Sequence, residues 1–414
     1  MITTAVATGS EWTGRVPPPS AGTPSRLRAL DGLRFLAAAG VLLYHFTARS
    51  PEWGSGVRFP VLGNVAIYLS LAPELFFVIS GFVILWTAWD RPVANVIASR
   101  VARIYPAYWA ALALTSLLLG TWWTSVRQLS AGQVAVNATL LQSVFGVSPV
   151  DGVYWTLWAE LRFYLLVVVL AAVGLSRRRV LAFSTAWPVL AVLAEHTSAE
   201  PWATLLIGGY APFFAAGMAL FLIWRDGHSW WPWAIVAGNA ALGAATAGVG
   251  RATMLARLTP FQPSTALVCA VAVACVAAVA AVTLTPARRW DWRGLTAVGA
   301  LTYPLYLVHQ YWGRFVIQAL HDHLPRYVTL AVAAAVSVLI ALAVHRGVER
   351  VLHRPVRRAV QRGLTAMADR LSRAGAQPRP PTDPGSSVPS ATAFQKAGVL
   401  SGSSSTVDPT PPGR

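Results

Sequence analysis

The sequence predicts an all-α fold, a polytopic membrane helical bundle of about ten transmembrane helices. Apolar residue types make up 55% of the 414 residues and charged types only 12%, with a mean hydropathy of +0.52. A soluble protein cannot cover so much apolar surface with so few charges, so much of the chain is expected to face lipid. Apolar windows of about 20 residues, the length that crosses a bilayer as a helix, recur ten times.

These windows define a membrane domain with a polar segment on either side. They lie near residues 30–48, 64–88, 104–121, 153–175, 179–195, 202–224, 230–249, 264–285, 294–318 and 327–346. Between the third and fourth windows, the mildly apolar piece 133–147 is treated as a loop, although a re-entrant or interfacial helix would also fit. Residues 25–360 form the predicted membrane domain. Composition predicts a disordered segment over 1–24 and a mostly disordered tail over 361–414.

The excess of basic residues indicates how the chain is oriented. Lys and Arg number 33 against 16 Asp and Glu, a net charge of +17. With a cytoplasmic N-terminus, 19 arginines fall at the cytoplasmic ends of the windows and seven at the opposite ends. This bias follows the positive-inside rule and predicts a plasma (inner) membrane protein with both termini cytoplasmic. No nucleic-acid-binding motif occurs, so the expected surroundings are a lipid bilayer and not nucleic acid.

Ionisable residues inside the first window are candidates for function, because a charge in the bilayer is costly. Arg34 and His45 are eleven residues apart. They therefore share one face of a helix, separated by about 16 Å along its axis. Asp31 precedes Arg34 by three residues and can pair with it. For His45 alone, a packed histidine bonded to a neighbouring helix is the alternative interpretation.

The second, third and fourth windows carry further candidates. Glu74 and Ser80 lie in the second, where a helix–helix hydrogen bond is the alternative role for the glutamate. Arg100 and Arg103 open the third at its cytoplasmic edge and can clamp a phosphate, although anchored helix ends also carry such arginines. Glu160 falls in the outer half of the fourth, at the depth predicted for His45. A carboxylate and a histidine at one depth suit general base catalysis.

The ninth window adds Tyr306 and His309, one helical turn apart. His309 falls in the middle or outer half of the predicted bilayer, near the depth of His45. The sequence contains no HExxH, GxSxG, CxxC or Walker pattern. Metal-site, serine-triad and nucleotide-hydrolysis chemistry are therefore not predicted.

Five segments, in this order, resemble the acyltransferase 3 family of multi-pass membrane O-acyltransferases. The first is the Leu-Asp-Gly-Leu run ending at Arg34, followed after ten residues by His45. The others run from Glu74 through Ser80-Gly81 to Phe82, from Arg100 to Pro106, from Trp155 through Glu160 to Tyr164, and from Tyr303 to His309. They cover about residues 26–350. The chain departs from the usual family pattern in having Thr156 in place of Ser and Glu74 in place of Asp.

The resemblance implies a ten-helix enzyme that takes an acyl group, expected to be acetyl, from cytoplasmic acyl-CoA. The acceptor would be a hydroxyl on an envelope glycan, a glycolipid or a glycosylated natural product. The high content of Ala, Arg and Trp indicates a GC-rich bacterial genome. The resemblance also implies that the pair formed by Arg34 and His45 is essential. No tightly bound cofactor is expected.

In this hypothesis each candidate residue has a role. Arg34, Arg100 and Arg103 bind the CoA phosphates. His45 acts as general base, or equally as a transient acyl carrier, with Glu160 or Glu74 orienting the imidazole or holding the acceptor. The side chains expected to bind or orient substrate are Asp31, Ser80, Tyr306 and His309.

A transporter or flippase for a polar solute or glycolipid is the alternative function, since it would use the same intramembrane charges as a path. Inverted repeats should then appear as matching halves of the sequence. No such halves are evident, and the charged motifs concentrate in the first four windows.

Overall fold

The computed structural model describes residues 27–53, 57–197 and 199–375, and these contain helices and no strand. The predicted all-α bundle is therefore confirmed. The helices are α1 (Arg28–Thr47), α2 (Pro60–Ala66), α3 (Ala72–Ala88), α4 (Val93–Leu117), α5 (Ala131–Asn137), α6 (Trp155–Val173), α7 (Arg177–His196), α8 (Glu200–Leu206), α9 (Ala211–Asp226), α10 (Trp230–Leu258), α11 (Thr265–Leu284), α12 (Arg293–Leu320), α13 (Arg326–Val344) and α14 (Arg350–Gly375).

Every predicted window coincides with one of these helices or with two in series. Within the described residues, eight segments are long and apolar enough to cross a membrane, namely Arg28–Thr47, Pro60–Ala88, Val93–Trp122, Gly152–Val173, Glu200–Asp226, Trp230–Leu258, Thr265–Leu284 and Arg326–Arg370. The remaining two windows form α7 and α12, of 20 and 28 residues. Both are long enough to span a bilayer but carry more polar residues. The polar residues of α12 include Tyr306 and His309, which are buried against its neighbours.

Helix ends follow local signals in the sequence. Helix α6 ends at Gly174 and α9 at Gly227, and both glycines have positive φ angles that other residues rarely adopt. Ser176 caps α7 by accepting a hydrogen bond from the backbone N–H of Arg179. The short connections after α6 and α9 reverse the direction of the chain, so the long helices on either side of each connection are antiparallel. We call the end of the bundle at which α1 begins the arginine-rich end.

Two helix pairs approach at glycines. In the first, α3 packs on α9, where a Cβ on Gly81 would lie 2.0 Å from the carbonyl oxygen of Phe214 and one on Gly217 would lie 2.0 Å from that of Val78. In the second, α1 packs on α12, where a Cβ on Gly313 would collide with the ring of Phe46 at 1.9 Å. Small residues of this kind allow membrane helices to pack closely.

The segment between α4 and α6 enters the bundle. The hydroxyl of Tyr105 donates to the carbonyl of Thr139 at 3.1 Å, and the indole of Trp109 donates to the carbonyl of Ala138 at 2.9 Å. Tyr105 and Trp109 lie near the middle of the span Val93–Trp122. The piece treated as a loop from its sequence therefore includes most of the short helix α5 and reaches the middle of α4, which is a re-entrant arrangement. We call residues 131–147 the re-entrant segment.

At the C-terminal side, helix α14 continues to Gly375. Residues 361–375, the first part of the segment predicted to be a mostly disordered tail, are therefore helical. The chain divides into two units, residues 1–366 and 367–414. The predicted segment 1–24 and the part of the predicted tail beyond residue 375 lie outside the described residues.

Candidate active site

A cavity opens among α1, α3, α4, α6 and α12. It contains about 820 Å³ of empty space, part of which is open to solvent. Its polar lining comprises three guanidinium groups, one carboxylate and several hydroxyls, from Arg34, Arg100, Arg103, Glu160, Ser80, Thr156, Tyr164, Thr302, Tyr303 and Tyr306. We call it the central cavity. Six of the residues that the sequence singled out are among these.

The three arginines of the central cavity come from two helices, α1 and α4. Arg34 lies 3.6 Å from the carboxylate of Asp31. Arg100 donates to the hydroxyl of Thr87 at 3.0 Å, and its Nε is buried without a hydrogen-bond partner in the described part of the chain. Arg103 pairs with Glu349 at 2.7 Å. The structure thus brings together the three arginines that the sequence grouped.

A second cavity, the vestibule, lies beside the central cavity toward the arginine-rich end. It shares Arg34, Val83 and Arg103 with the central cavity, and Leu27 and His345 also line it. Leu27 directly precedes α1, and His345 directly follows α13. The two cavities therefore form one route from the arginine-rich end into the bundle, with arginines along it.

Glu160 lies in the wall of the central cavity. Its carboxylate accepts hydrogen bonds from the hydroxyls of Ser80, at 3.0 Å, and Tyr164. Tyr164 follows Glu160 by four residues on α6, a spacing that places both on one helix face. This tyrosine was not among the predicted site residues, although that spacing could have indicated it. The described contacts of Glu160 do not include His45, which the sequence had placed beside it.

Tyr306 lines the central cavity and contacts His309 on the same helix. The hydroxyl of Tyr306 lies 2.9 Å from that of Thr156 and donates to the carbonyl of Val153 at 3.2 Å. The Tyr306 ring centroid is 5.8 Å from that of His309.

His309 and His45 form a buried pair of imidazoles, with ring centroids 5.1 Å apart. Nδ1 of His309 lies 2.8 Å from the carbonyl oxygen of Tyr306. Because a carbonyl oxygen only accepts hydrogen bonds, Nδ1 carries the proton and Nε2 has the lone pair in neutral His309. Within the described residues Nε2 has no hydrogen-bond partner. The imidazole beside His45 can therefore accept a proton or a hydrogen bond.

Glu74 lies outside the lining of the central cavity. Its carboxylate is fully buried and pairs with the guanidinium of Arg251, which is also near the ring of Tyr210. The sequence put Arg251 in the loop after the seventh window, but α10 continues to Leu258 and carries Arg251 inside the bundle. Glu74 does not line the central cavity, so the structure separates it from Glu160.

These features define an integral membrane protein with a polar, arginine-lined site inside its helical bundle. A family model described as an acyltransferase domain, that of acyltransferase 3, matches residues 27–346. The chain belongs to this family of membrane acyltransferases and is an acyl-transferring enzyme. No curated protein and no solved structure matches it.

Proposed function

We propose that the protein is a membrane O-acyltransferase that moves an acyl group from cytoplasmic acyl-CoA to a hydroxyl of a sugar-containing acceptor. The observation that carries this proposal is the route from the arginine-rich end, through the vestibule and the central cavity, to Tyr306, whose ring contacts the buried pair of His45 and His309 from the cavity wall. In this proposal the arginine-rich end faces the cytoplasm of a bacterial cell, in agreement with the charge bias of the sequence.

The donor would bind along this route. CoA carries several phosphate charges, and guanidinium groups bind phosphate with paired hydrogen bonds. Arg34 and Arg103 line both cavities and Arg100 lines the central one. The nucleotide would occupy the vestibule, and the pantetheine arm would extend into the central cavity. Ser80 and Glu160, already hydrogen-bonded to each other, would bind polar groups of the arm or of the acceptor.

The chemistry would take place near His45. As general base, its imidazole removes the proton of the acceptor hydroxyl while that oxygen attacks the thioester carbonyl. The C–O bond forms, the C–S bond breaks, and the proton passes to the CoA thiolate. A two-step mechanism through a transient acyl-imidazole on His45 gives the same overall transfer, with the same bonds formed and broken. His309, beside His45, would orient the imidazole in place of the carboxylate expected from the sequence.

The decisive experiment supplies labelled acetyl-CoA to membranes of a deletion strain carrying wild-type protein or the His45→Ala variant. Label is expected in a polysaccharide, lipid or small-metabolite fraction with the wild type, and mass spectrometry would identify the acylated hydroxyl. Loss of a general base lowers the rate by roughly 100- to 10,000-fold. Similar membrane levels of both proteins are the control. Normal transfer by His45→Ala would exclude this mechanism, and labelled donor transported unchanged would favour a transporter.

A further inference from the structure

An apolar groove lies on the other side of the central-cavity wall, between α4 and α6. It holds about 1200 Å³ of empty space, part of it open to the surroundings, and its surface is almost entirely apolar. Ile97 and Val101 of α4 and Leu161, Leu165 and Val168 of α6 line it. Leu165 is 54% exposed, so the groove opens to the region where lipid surrounds the bundle.

The groove and the central cavity share part of their walls. Arg100, Ile104 and Tyr164 line both. The partition between the polar site and the apolar groove is therefore one side chain thick. Since Arg100 stacks over the ring of Tyr164, with 5.6 Å from Cζ to the centroid, two of the three side chains also contact each other.

The lining residues fix the position of the groove along α4. Leu141 of the re-entrant segment and Thr204 of α8 line it at the level where Tyr105 bonds the carbonyl of Thr139 and Arg162 bonds the carbonyl of Thr204. From this level its lining extends along residues 97–105 of α4 toward the arginine-rich end, about 12 Å at the helical rise per residue. It therefore lies on the side of the membrane from which the proposed donor enters.

We infer that this groove binds the acyl chain of the donor thioester, so that acyl-CoA with a chain longer than acetyl is a substrate. The inference rests on the proposed function. The thioester stays in the central cavity, and the chain passes between Ile104 and Tyr164 into the groove. A wall shared with the polar cavity and a position toward the arginine-rich end favour the donor chain over the tail of a lipid from the opposite leaflet. Burial of each methylene group strengthens binding.

Direct binding of labelled acetyl-CoA and octanoyl-CoA to the full chain in lipid nanodiscs tests this inference. Octanoyl-CoA is expected to bind at least roughly 10-fold more tightly than acetyl-CoA, after subtraction of protein-free nanodiscs. Leu165→Trp and Val101→Trp, which fill the groove, should remove this gain and leave acetyl-CoA binding unchanged. Leu190→Trp is the matched control, because Leu190 is 56% exposed on α7, away from the groove, and should keep the gain.

The outcomes separate this inference from the proposed function. Two results would overturn the role of the groove and leave the proposed donor standing. In the first, acetyl-CoA binds but octanoyl-CoA binds no more tightly; in the second, the tighter binding of octanoyl-CoA persists in both groove variants. Binding of neither thioester would contradict the proposed donor and the inference with it. A second measurement uses octanoyl-CoA with a photoreactive diazirine at the end of its chain. It should label residues within 97–105 or 161–168, and labelling confined to other helices would also overturn the inference.

Discussion

The bundle contains two buried groups of charged and polar residues with different surroundings. In the central cavity, Arg34 and Arg100 face open space that connects to the arginine-rich end through the vestibule. Glu74 and Arg251 also lie inside the bundle, but they pair with each other and Glu74 has no exposed surface. Both groups are costly to bury in a membrane protein.

The difference indicates what each group does. A charge beside an open cavity can bind a ligand of opposite charge. A charge that is already neutralised by a buried partner is part of the packing, and its removal leaves the partner uncompensated. We therefore expect substitutions in the central cavity and at the histidines to reduce activity, and substitutions of Glu74 or Arg251 to reduce stability.

The largest expected effect is on turnover and follows loss of His309. Both His309→Ala and His309→Asn should lower the rate of acyl transfer by roughly 100-fold or more, because the imidazole beside His45 is lost. His309→Asn should retain nearly the wild-type melting temperature, since an amide can still donate to the carbonyl of Tyr306. His323→Ala, in the exposed loop after α12, is the matched control. Wild-type turnover by His309→Asn would rule out a role in transfer.

The next effect is on stability. Arg251→Ala leaves the Glu74 carboxylate buried without its partner, which typically costs about 3–5 kcal/mol in free energy of unfolding. Thermal unfolding in detergent should show the loss, and the double variant with Glu74→Ala should recover part of it. Arg257→Ala, on the exposed side of the same helix, should unfold like the wild type. Equal stability of Arg251→Ala and Arg257→Ala would show that the buried pair contributes nothing to the fold.

A smaller effect distinguishes donor binding from chemistry. Arg100→Gln should raise the KM for acyl-CoA by roughly 10-fold with little change in kcat, because it removes a phosphate contact that exists before and during reaction. The increase should shrink at high ionic strength, where the wild type also loses electrostatic binding. Arg91→Gln, exposed between α3 and α4, is the control. A reduced kcat at unchanged KM would contradict a role in donor binding.

The last effect depends on pH and concerns Asp151, which lies directly before the fourth span and is fully buried. Burial raises the pKa of Asp151 to about 7, against an opposing hydrogen bond from the backbone N–H of Val153. The unfolded chain ionises this group near pH 4, roughly its ordinary value, so the folded state binds the extra proton between these limits. Wild-type stability should therefore fall as pH rises from about 4 to about 7 through this group.

Asp151→Asn lacks this titration and keeps an oxygen to accept the hydrogen bond from Val153. Its melting temperature relative to the wild type should rise over the same pH interval by a few degrees and level off above it. The measurement is a pair of thermal unfolding series across pH. A difference that does not change with pH would show that Asp151 does not titrate in this range.

Much of the fold could be predicted from the sequence because each membrane helix is recorded locally as an apolar run. All ten windows are helical, and Arg34, Arg100 and Arg103 meet in one cavity, as expected from their common depth. Depth alone, however, does not determine which helices are neighbours. Glu160 and His45 have similar predicted depths, yet Glu160 contacts Ser80 and Tyr164 while His45 contacts His309.

Two other features required the three-dimensional structure. Arg251 follows a glycine-rich stretch that resembles a helix end, but α10 continues past it to Leu258, with Arg251 paired to Glu74 and Leu255 buried. The re-entrant segment is too weakly apolar to be recognised by hydropathy. Two of its backbone carbonyls, those of Thr139 and Ala138, accept hydrogen bonds from Tyr105 and Trp109 of the preceding long helix α4. In both cases the position of the residues depends on a tertiary contact, which the local sequence does not reveal.

The contact of Gly81 with Gly217 has a mechanical consequence. At this point α3 and α9 meet backbone to backbone, with no side chain between them that could change rotamer as the helices slide. Close packing of this kind opposes movement of α3 relative to α9. Ser80 is adjacent to this contact, so we expect any opening of the central cavity for substrates to come from movement of α1, α4, α6 or α12 against these two helices.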